Sequence, residues 1–165
     1  MADFSSIIKF LSEREYKLVT AESCTAGMVT SLLATTPGCG AVLEIGYVVY
    51  SEKAKHYCLG VDLQTMDAFG LTSEEVAQEM ALGALDRSGA DFAIAVTGKA
   101  ESNDELGGVI CFAYALRMYH ITKVFTQTKK FNGDRETVMR SAAEYAIVNI
   151  PNAHNQLLAQ FLLCR

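Results

Sequence analysis

Five stretches of this sequence are strand-length and apolar almost without a break, and helical patterns separate most of them. They read KLVTA (17–21), AVLEIGYVVY (41–50), FAIAVTG (92–98), GVICFAYAL (108–116) and HITKVFTQTKKF (120–131), the last with polar residues mixed in. A strand that is apolar on both faces needs cover on both faces. The pattern therefore predicts an α/β protein, a three-layer α/β/α sandwich. A tight connection near 117–119 predicts an antiparallel hairpin, so the sheet is expected to be mixed and mainly parallel.

Helical spacing and capping residues predict the covering layers. The chain is expected to open with an amphipathic helix that carries Phe4 and Leu11 and is capped by Asp3. A box formed by Thr72 and Glu75 is expected to begin a long helix ending near Gly89. Four further helices are predicted. They are a helix marked by an apolar stripe from Met28 to Leu33, a short helix from Ser51 to Cys58, a helix from Asp134 to about Asn149, and a last one containing Leu157 to Leu162.

Length and charge limit the classes of protein to which this chain can belong. With 165 residues, half of them hydrophobic, the chain suits one domain spanning residues 1–165. The net charge of -5 and the lack of a basic run argue against nucleic acid as a partner and favour a small molecule. The N-terminus lacks the pattern of a signal peptide, and no apolar run is long enough to cross a membrane, so a cytoplasmic location without a membrane partner is predicted.

The cysteines give no sign of a disulfide framework or a zinc site. Their number is odd, they are widely spaced, and no two form a C-x-x-C pair. We expect reduced thiols and no metal. The five are Cys24, Cys39, Cys58, Cys111 and Cys164.

Candidate functional residues follow the predicted strands, at the carboxyl ends where α/β proteins bind ligands. The first strand is followed by Glu22, Ser23, Cys24 and Thr25, the second by Tyr50, Ser51 and Lys55, the third by Thr97 and Gly98, and the hairpin by Arg135.

Ser23 precedes a predicted helix, where free N–H groups favour an oxyanion or a phosphate. It is a candidate nucleophile, although Ser23 or Thr25 could simply cap the helix. A nucleophilic serine needs a base, and none of the three histidines follows a strand, so a Ser-His-Asp triad is not expected. Lys55 can take that role if its pKa is lowered, or it can be an ordinary surface lysine in the segment SEKAKH.

Two further side chains near Ser23 have alternative interpretations. Tyr50 could pass a proton to a leaving group, or it could simply pack at the strand end. Cys24 is a rival nucleophile, but without a histidine partner it is better interpreted as a small buried residue.

Five segments, taken in order, resemble the CinA C-terminal domain family, the nicotinamide-nucleotide amidohydrolases. They are TAESCTAG, PGCGAVLEIGYVVYSEKAK, LTSEEVAQEMALGA, GADFAIAVTG and FNGDRE, within residues 7–147. The resemblance implies an α/β/α sandwich that forms homo-oligomers, needs no metal or other cofactor, and hydrolyses the carboxamide of nicotinamide mononucleotide to the acid and ammonia.

The same resemblance implies roles for individual residues. Ser23 is expected to be the nucleophile, Lys55 its base and Tyr50 a proton-handling partner. Substrate binding is expected from Thr25, Gly27, Thr97, Gly98 and Arg135.

The chain departs from this family's pattern after the third strand. The family typically has a loop rich in glycine and proline there, whereas this chain reads TGKAESNDELGG, with Glu101, Asp104 and Glu105. Carboxylates repel a phosphate, so weaker nucleotide binding is expected. The alternative to an amidohydrolase is a weak or inactive paralogue that binds a nucleotide or a partner protein through the same cleft.

Overall fold

One five-stranded sheet forms the centre of the molecule in the computed structural model, which describes residues 3–163. The strands are β1 (Leu18–Glu22), β2 (Leu43–Val48), β3 (Phe92–Gly98), β4 (Val109–Met118) and β5 (Ile121–Lys130). Their order in the sheet is β2-β1-β3-β4-β5. The pairs β2/β1 and β1/β3 are parallel, and β3/β4 and β4/β5 are antiparallel, so every strand except β4 points the same way.

Helices cover both faces of the sheet, which confirms the predicted α/β sandwich. They are α1 (Ser5–Ser12), α2 (Met28–Ala34), α3 (Glu52–Leu59), α4 (Leu63–Phe69), α5 (Glu74–Ser88), α6 (Arg135–Val148) and α7 (Ile150–Leu162). Side chains of α1, α2, α6 and α7 pack in one buried cluster, and those of α3, α4 and α5 pack in another on the opposite face.

The two faces of the central strands differ in side-chain size. Along β3, Phe92, Ile94 and Val96 face the α1/α2/α6/α7 cluster, whereas Ala93 and Ala95 face α5. The small side chains leave room for the alanine-rich helix α5 to lie close to the sheet. Strand β4 repeats this alternation.

Helix α5 also lies very close to α3. A Cβ atom added at Gly83 would lie 1.9 Å from the carbonyl oxygen of Leu59, the last residue of α3. No side chain fits at that point, so glycine is required for the two helices to meet.

Several predicted boundaries need correction. Ser73 rather than Thr72 caps α5, and its hydroxyl accepts from the N–H of Val76. Asp3 precedes the N-cap of α1 and accepts a hydrogen bond from the N–H of Ser5. The hairpin turn lies at Tyr119 and His120, one residue later than predicted. Both have positive φ, as short hairpin turns require.

Helix α4 was not predicted from the sequence. The segment LQTMDAF buries a single side chain, Met66, so it carries no apolar stripe for periodicity to detect. Its N-cap Asp62, which accepts from the N–H of Gln64, was the available signal.

Apolar side chains are exposed at several places on the surface of the described residues. Ile45 and Val48 lie on the edge strand β2, and Tyr119, Ile121 and Leu162 lie near the hairpin tip and the end of α7. The homo-oligomer expected from the sequence stays a prediction. We expect light scattering at micromolar concentration to give a multiple of the 17.9 kDa chain mass, and a monomer mass would contradict this.

Candidate active site

A cavity of about 300 Å³ opens at the edge of the sheet where β1, β2 and β3 end. Because these strands are parallel neighbours, the residues that follow them meet at this edge. The structure brings six of the predicted site residues together in the lining of this cavity: Ser23, Tyr50, Lys55, Thr97, Gly98 and Arg135.

Lys55 is buried beneath the cavity. Its side chain is 1% exposed, which excludes the alternative of an ordinary surface lysine. Nζ lies 2.9 Å from Ser23 Oγ, 3.1 Å from the carbonyl oxygen of Val49 and 3.3 Å from that of Tyr50. Helix α3 makes this approach possible because it begins directly after Tyr50, with Ser51 as its N-cap.

Burial lowers the pKa of Lys55. The electrostatic effects of Cys24 and Glu52 would raise this pKa, but they are smaller. A neutral amine has two N–H donors and one lone pair. The two carbonyl oxygens can accept both donors, which leaves the lone pair for the hydroxyl proton of Ser23. The surroundings therefore suit a lysine that acts as a base.

Ser23 does not cap the helix that follows it. Helix α2 begins at Met28, its N-cap is Gly27 in the left-handed region, and no N-cap side chain bonds to its N–H groups. The backbone N–H of Ser23 donates to the carbonyl oxygen of Val96 in β3. This bond fixes the residue between two strand ends with its hydroxyl toward Lys55.

The carboxylate of Glu22 occupies the N-terminus of α2 instead. This fully buried group accepts hydrogen bonds from the N–H groups of Gly27, Val29 and Thr30 and from the hydroxyls of Thr25 and Thr30. An anion is favoured at a helix N-terminus, and here the chain supplies its own. A phosphate therefore has no free binding place at this helix end.

Thr25 and Gly27 are accordingly not brought into the Ser23 cavity. The hydroxyl of Thr25 and the N–H of Gly27 both donate to Glu22, and both residues line a neighbouring cavity between α2 and α6. Because Glu22 holds these groups, they are not available as hydrogen-bond donors to a substrate beside Ser23.

Some of the backbone N–H groups that could donate to an oxyanion beside Ser23 are already used by hydrogen bonds within this turn. The N–H of Ala26 donates to the carbonyl oxygen of Ser23, and that of Gly27 is held by Glu22. Within residues 3–163, the N–H groups of Cys24 and Thr25 donate to no backbone carbonyl oxygen, and the N–H of Cys24 interacts with the thiol of the same residue. Cys24 also lines the Ser23 cavity, so its N–H is the best-placed donor.

The thiol of Cys24 is a poor rival to the Ser23 hydroxyl. Burial raises its pKa to about 12, so the thiolate is scarce near neutral pH. The thiols of Cys24, Cys39, Cys58 and Cys111 are free, and Cys164 lies outside the described residues.

Tyr50, Thr97 and Gly98 also line the cavity. The side chain of Tyr50 is 61% exposed at the mouth, so it does not pack in the core. The hydroxyl of Thr97 donates to the carbonyl oxygen of Leu71 and keeps its lone pairs for a ligand. Gly98 lies where a Cβ would come within 2.4 Å of the carbonyl oxygen of Val109, so it is needed for the pairing of β3 with β4.

Two cations at the outer rim are paired with carboxylates of the 99–108 loop. Arg135 Nε lies 3.2 Å from Glu101 Oε2, and both side chains are more than half exposed. Lys99 Nζ lies 3.1 Å from Asp104 Oδ2. Hydrogen bonds from Ser102 and Lys99 lower the pKa of Asp104 to about 2. Glu105 is exposed and does not line the cavity.

Sequence reasoning missed the contacts that Glu22 and Glu101 make. Glu22 had a detectable signal, since an acidic residue shortly before a helix is favoured by the helix dipole. Glu101 had none, because the residue with which it pairs is 34 positions away in the sequence.

Within the part of the chain that the structure describes, no helix is long and apolar enough to cross a membrane. In the same range, no three His, Cys, Asp or Glu side chains are grouped so that they could hold a metal ion.

The model of the CinA C-terminal domain matches residues 4–153 of this chain. A nicotinamide-nucleotide amidohydrolase PncC from Enterobacter agglomerans is 36% identical over 141 residues, which cover 83% of this chain and 84% of the relative. A CinA-like protein from Chlorobium limicola is 44% identical over 111 residues, which cover 65% of this chain and 26% of that much longer protein.

Solved structures share the fold. The competence/damage inducible protein CihA from Agrobacterium tumefaciens aligns with a TM-score of 0.84 at 31% identity, covering 92% of this chain and 93% of the other. A CinA superfamily protein from Escherichia coli aligns with a TM-score of 0.82 at 32% identity, covering 89% and 86% of the two chains.

Proposed function

This chain belongs to the CinA C-terminal domain family, and from that membership and the geometry around Ser23 we propose that it is an amidohydrolase acting on nicotinamide mononucleotide or a related carboxamide. The products are the corresponding carboxylate and ammonia. One observation carries the proposal: a buried lysine amine lies 2.9 Å from a serine hydroxyl in a cavity at the strand ends. The relative named as a nicotinamide-nucleotide amidohydrolase supports the choice of substrate.

Ser23 attacks the amide carbon in the first step. A bond forms between Oγ and that carbon, and Lys55 Nζ takes the hydroxyl proton. The carbonyl electrons move to the oxygen, where the N–H of Cys24 is placed to donate. A well-placed donor of this kind contributes about 3 to 4 kcal/mol to transition-state stabilisation.

The carbon–nitrogen bond then breaks. Ammonia leaves with the proton that Lys55 took, and an acyl ester remains on Ser23. Water attacks this ester and gives a proton to Lys55, and the ester oxygen takes one back as Ser23 is released. Tyr50, at the mouth, is suited to pass protons between this site and solvent.

The domain assignment is part of the same proposal. A single catalytic unit occupies residues 1–165, and the residues invoked in the reaction lie on α3 or in the connections that directly follow β1 and β2. The longer relatives carry additional chain, since this sequence spans 26% of the Chlorobium limicola protein.

Incubation of the purified protein with nicotinamide mononucleotide, followed by measurement of ammonia, tests this function. The same protein without substrate, and the substrate without protein, serve as controls. No ammonia at any substrate concentration would favour the alternative, a paralogue that binds without catalysis. The Glu101–Arg135 ion pair favours that alternative because it occupies the cation expected to hold a phosphate.

The activity should rise with pH across the range in which Lys55 loses its proton. Only the neutral amine can accept the proton of Ser23, and burial lowers the pKa of Lys55, so the rise should be centred below the ordinary lysine value of about 10.4. A kcat profile measured from pH 6 to 10 checks this. A kcat that falls with pH would contradict the assignment of the base.

A further inference from the structure

The outer rim of the Ser23 cavity carries cations whose charges the chain has already balanced. Arg135 and Lys99 line the cavity, and each is paired with a carboxylate of the 99–108 loop. The third cationic group in the lining, Lys55, is buried, and its pKa is lowered. A phosphorylated ligand entering the cavity therefore meets little net positive charge.

A second place that would suit an anion is also occupied. The N-terminus of α2 is taken by Glu22, so a phosphate has no free N–H groups there and the cations of the rim are its candidate partners. At the rim Arg135 has the group suited to bidentate phosphate binding. Among residues 3–163, Glu101 is the carboxylate that pairs with it.

We propose that Glu101 determines the substrate selectivity of this cavity by acting as an internal counter-ion of Arg135. The phosphate of a nucleotide has to displace Glu101 from the guanidinium, whereas the same nucleoside without its phosphate does not. The wild-type chain therefore distinguishes only weakly between a pyridine nucleotide and its nucleoside. This inference rests on the proposed amidohydrolase function for the identity of the ligands.

Glu101 is a better residue than Asp104 to replace in a test of this proposal. The carboxylate of Asp104 also accepts from the N–H of Leu106, so replacing it would loosen the loop as well as free Lys99. The side chain of Glu101 is exposed and forms its ion pair with Arg135, so its replacement should not destabilise the fold. Glu105 lies in the same loop, is exposed and does not line the cavity, which makes it a matched control.

The experiment compares wild type, Glu101→Gln and Glu105→Gln with two substrates, nicotinamide mononucleotide and nicotinamide riboside. We expect Glu101→Gln to raise the ratio of kcat/KM for nucleotide over nucleoside about fivefold, through KM, which corresponds to about 1 kcal/mol. Glu105→Gln should leave the ratio within about twofold of wild type. Equal ratios for Glu101→Gln and wild type would overturn the proposal.

A binding measurement separates this inference from the proposed function. Calorimetric titration of both ligands into Ser23→Ala, with and without Glu101→Gln, reports affinity without turnover. A selective gain for the nucleotide in this titration, together with no ammonia release by the wild type, would support the role of Glu101 and refute the amidohydrolase. Turnover by the wild type without a selective gain would support the amidohydrolase and refute the role of Glu101. No binding of either ligand would overturn both proposals.

Discussion

Ser23→Ala is expected to abolish ammonia release, with a loss in kcat of about 10⁴-fold or more. The substitution removes the oxygen that forms the bond to the amide carbon, and among the described residues no other hydroxyl forms a hydrogen bond with Lys55 Nζ. The backbone N–H of Ser23, which donates to Val96, is retained, so the turn should keep its position. Steady-state kinetics together with a thermal unfolding curve check the result.

Cys24→Ala is the matched control for the nucleophile. Cys24 is the next residue and also lines the cavity, but its thiol has a pKa raised to about 12 by burial. Its side chain should therefore be dispensable, and activity should stay within about tenfold of wild type. If Cys24→Ala were inactive and Ser23→Ala active, the nucleophile would be Cys24.

Lys55→Ala is expected to lower kcat by about 10³-fold or more, because a base and the nucleophile it activates act as a unit. The change removes the lone pair that faces Ser23. It also leaves the carbonyl oxygens of Val49 and Tyr50 without their donor. Measurement of kcat and KM separately is informative, since loss of a base should appear in kcat.

Two further variants control for the effect of Lys55 on folding. Lys55→Met fills most of the space that alanine would leave empty and should be as inactive as Lys55→Ala. Lys53→Ala removes an exposed lysine of the same helix and should change kcat little. Equal mild losses at positions 53 and 55 would rule out the Ser23–Lys55 pair as the catalytic unit.

The sheet was predictable because the sequences of its central strands are typical of strands buried on both faces. FAIAVTG and GVICFAYAL are apolar on both faces, and burial on both faces is what such runs require. The positions of Ser23 and Lys55 at one edge followed from the same argument, since parallel strands deliver the residues after them to one place. Periodicity failed for α4, which buries only Met66.

The charge arrangement of the site was not predictable. An acidic residue before a helix is a signal for a contact such as that of Glu22, but it does not single Glu22 out, because the same spacing allows Ser23 or Thr25 to be the cap. The sequence predicts only that the carboxylates of the acidic loop repel a phosphate. The structure pairs Lys99 with Asp104 within the loop and Arg135 with Glu101, and the second contact depends on how β5 and α6 bring position 135 to the loop.

The contact between Gly83 and Leu59 makes the reactive pair sensitive to residues that a ligand never touches. Leu59 ends the helix that carries Lys55 one turn earlier, so any side chain at position 83 would push that helix and move the amine relative to Ser23. A misplacement of about 1 Å can cost about 100-fold in rate. Variation within this family at the junction of α3 and α5 can therefore alter catalysis while every cavity-lining residue stays the same. A search for inactive relatives has to include the spacing between these helices as well as the identity of the reacting groups.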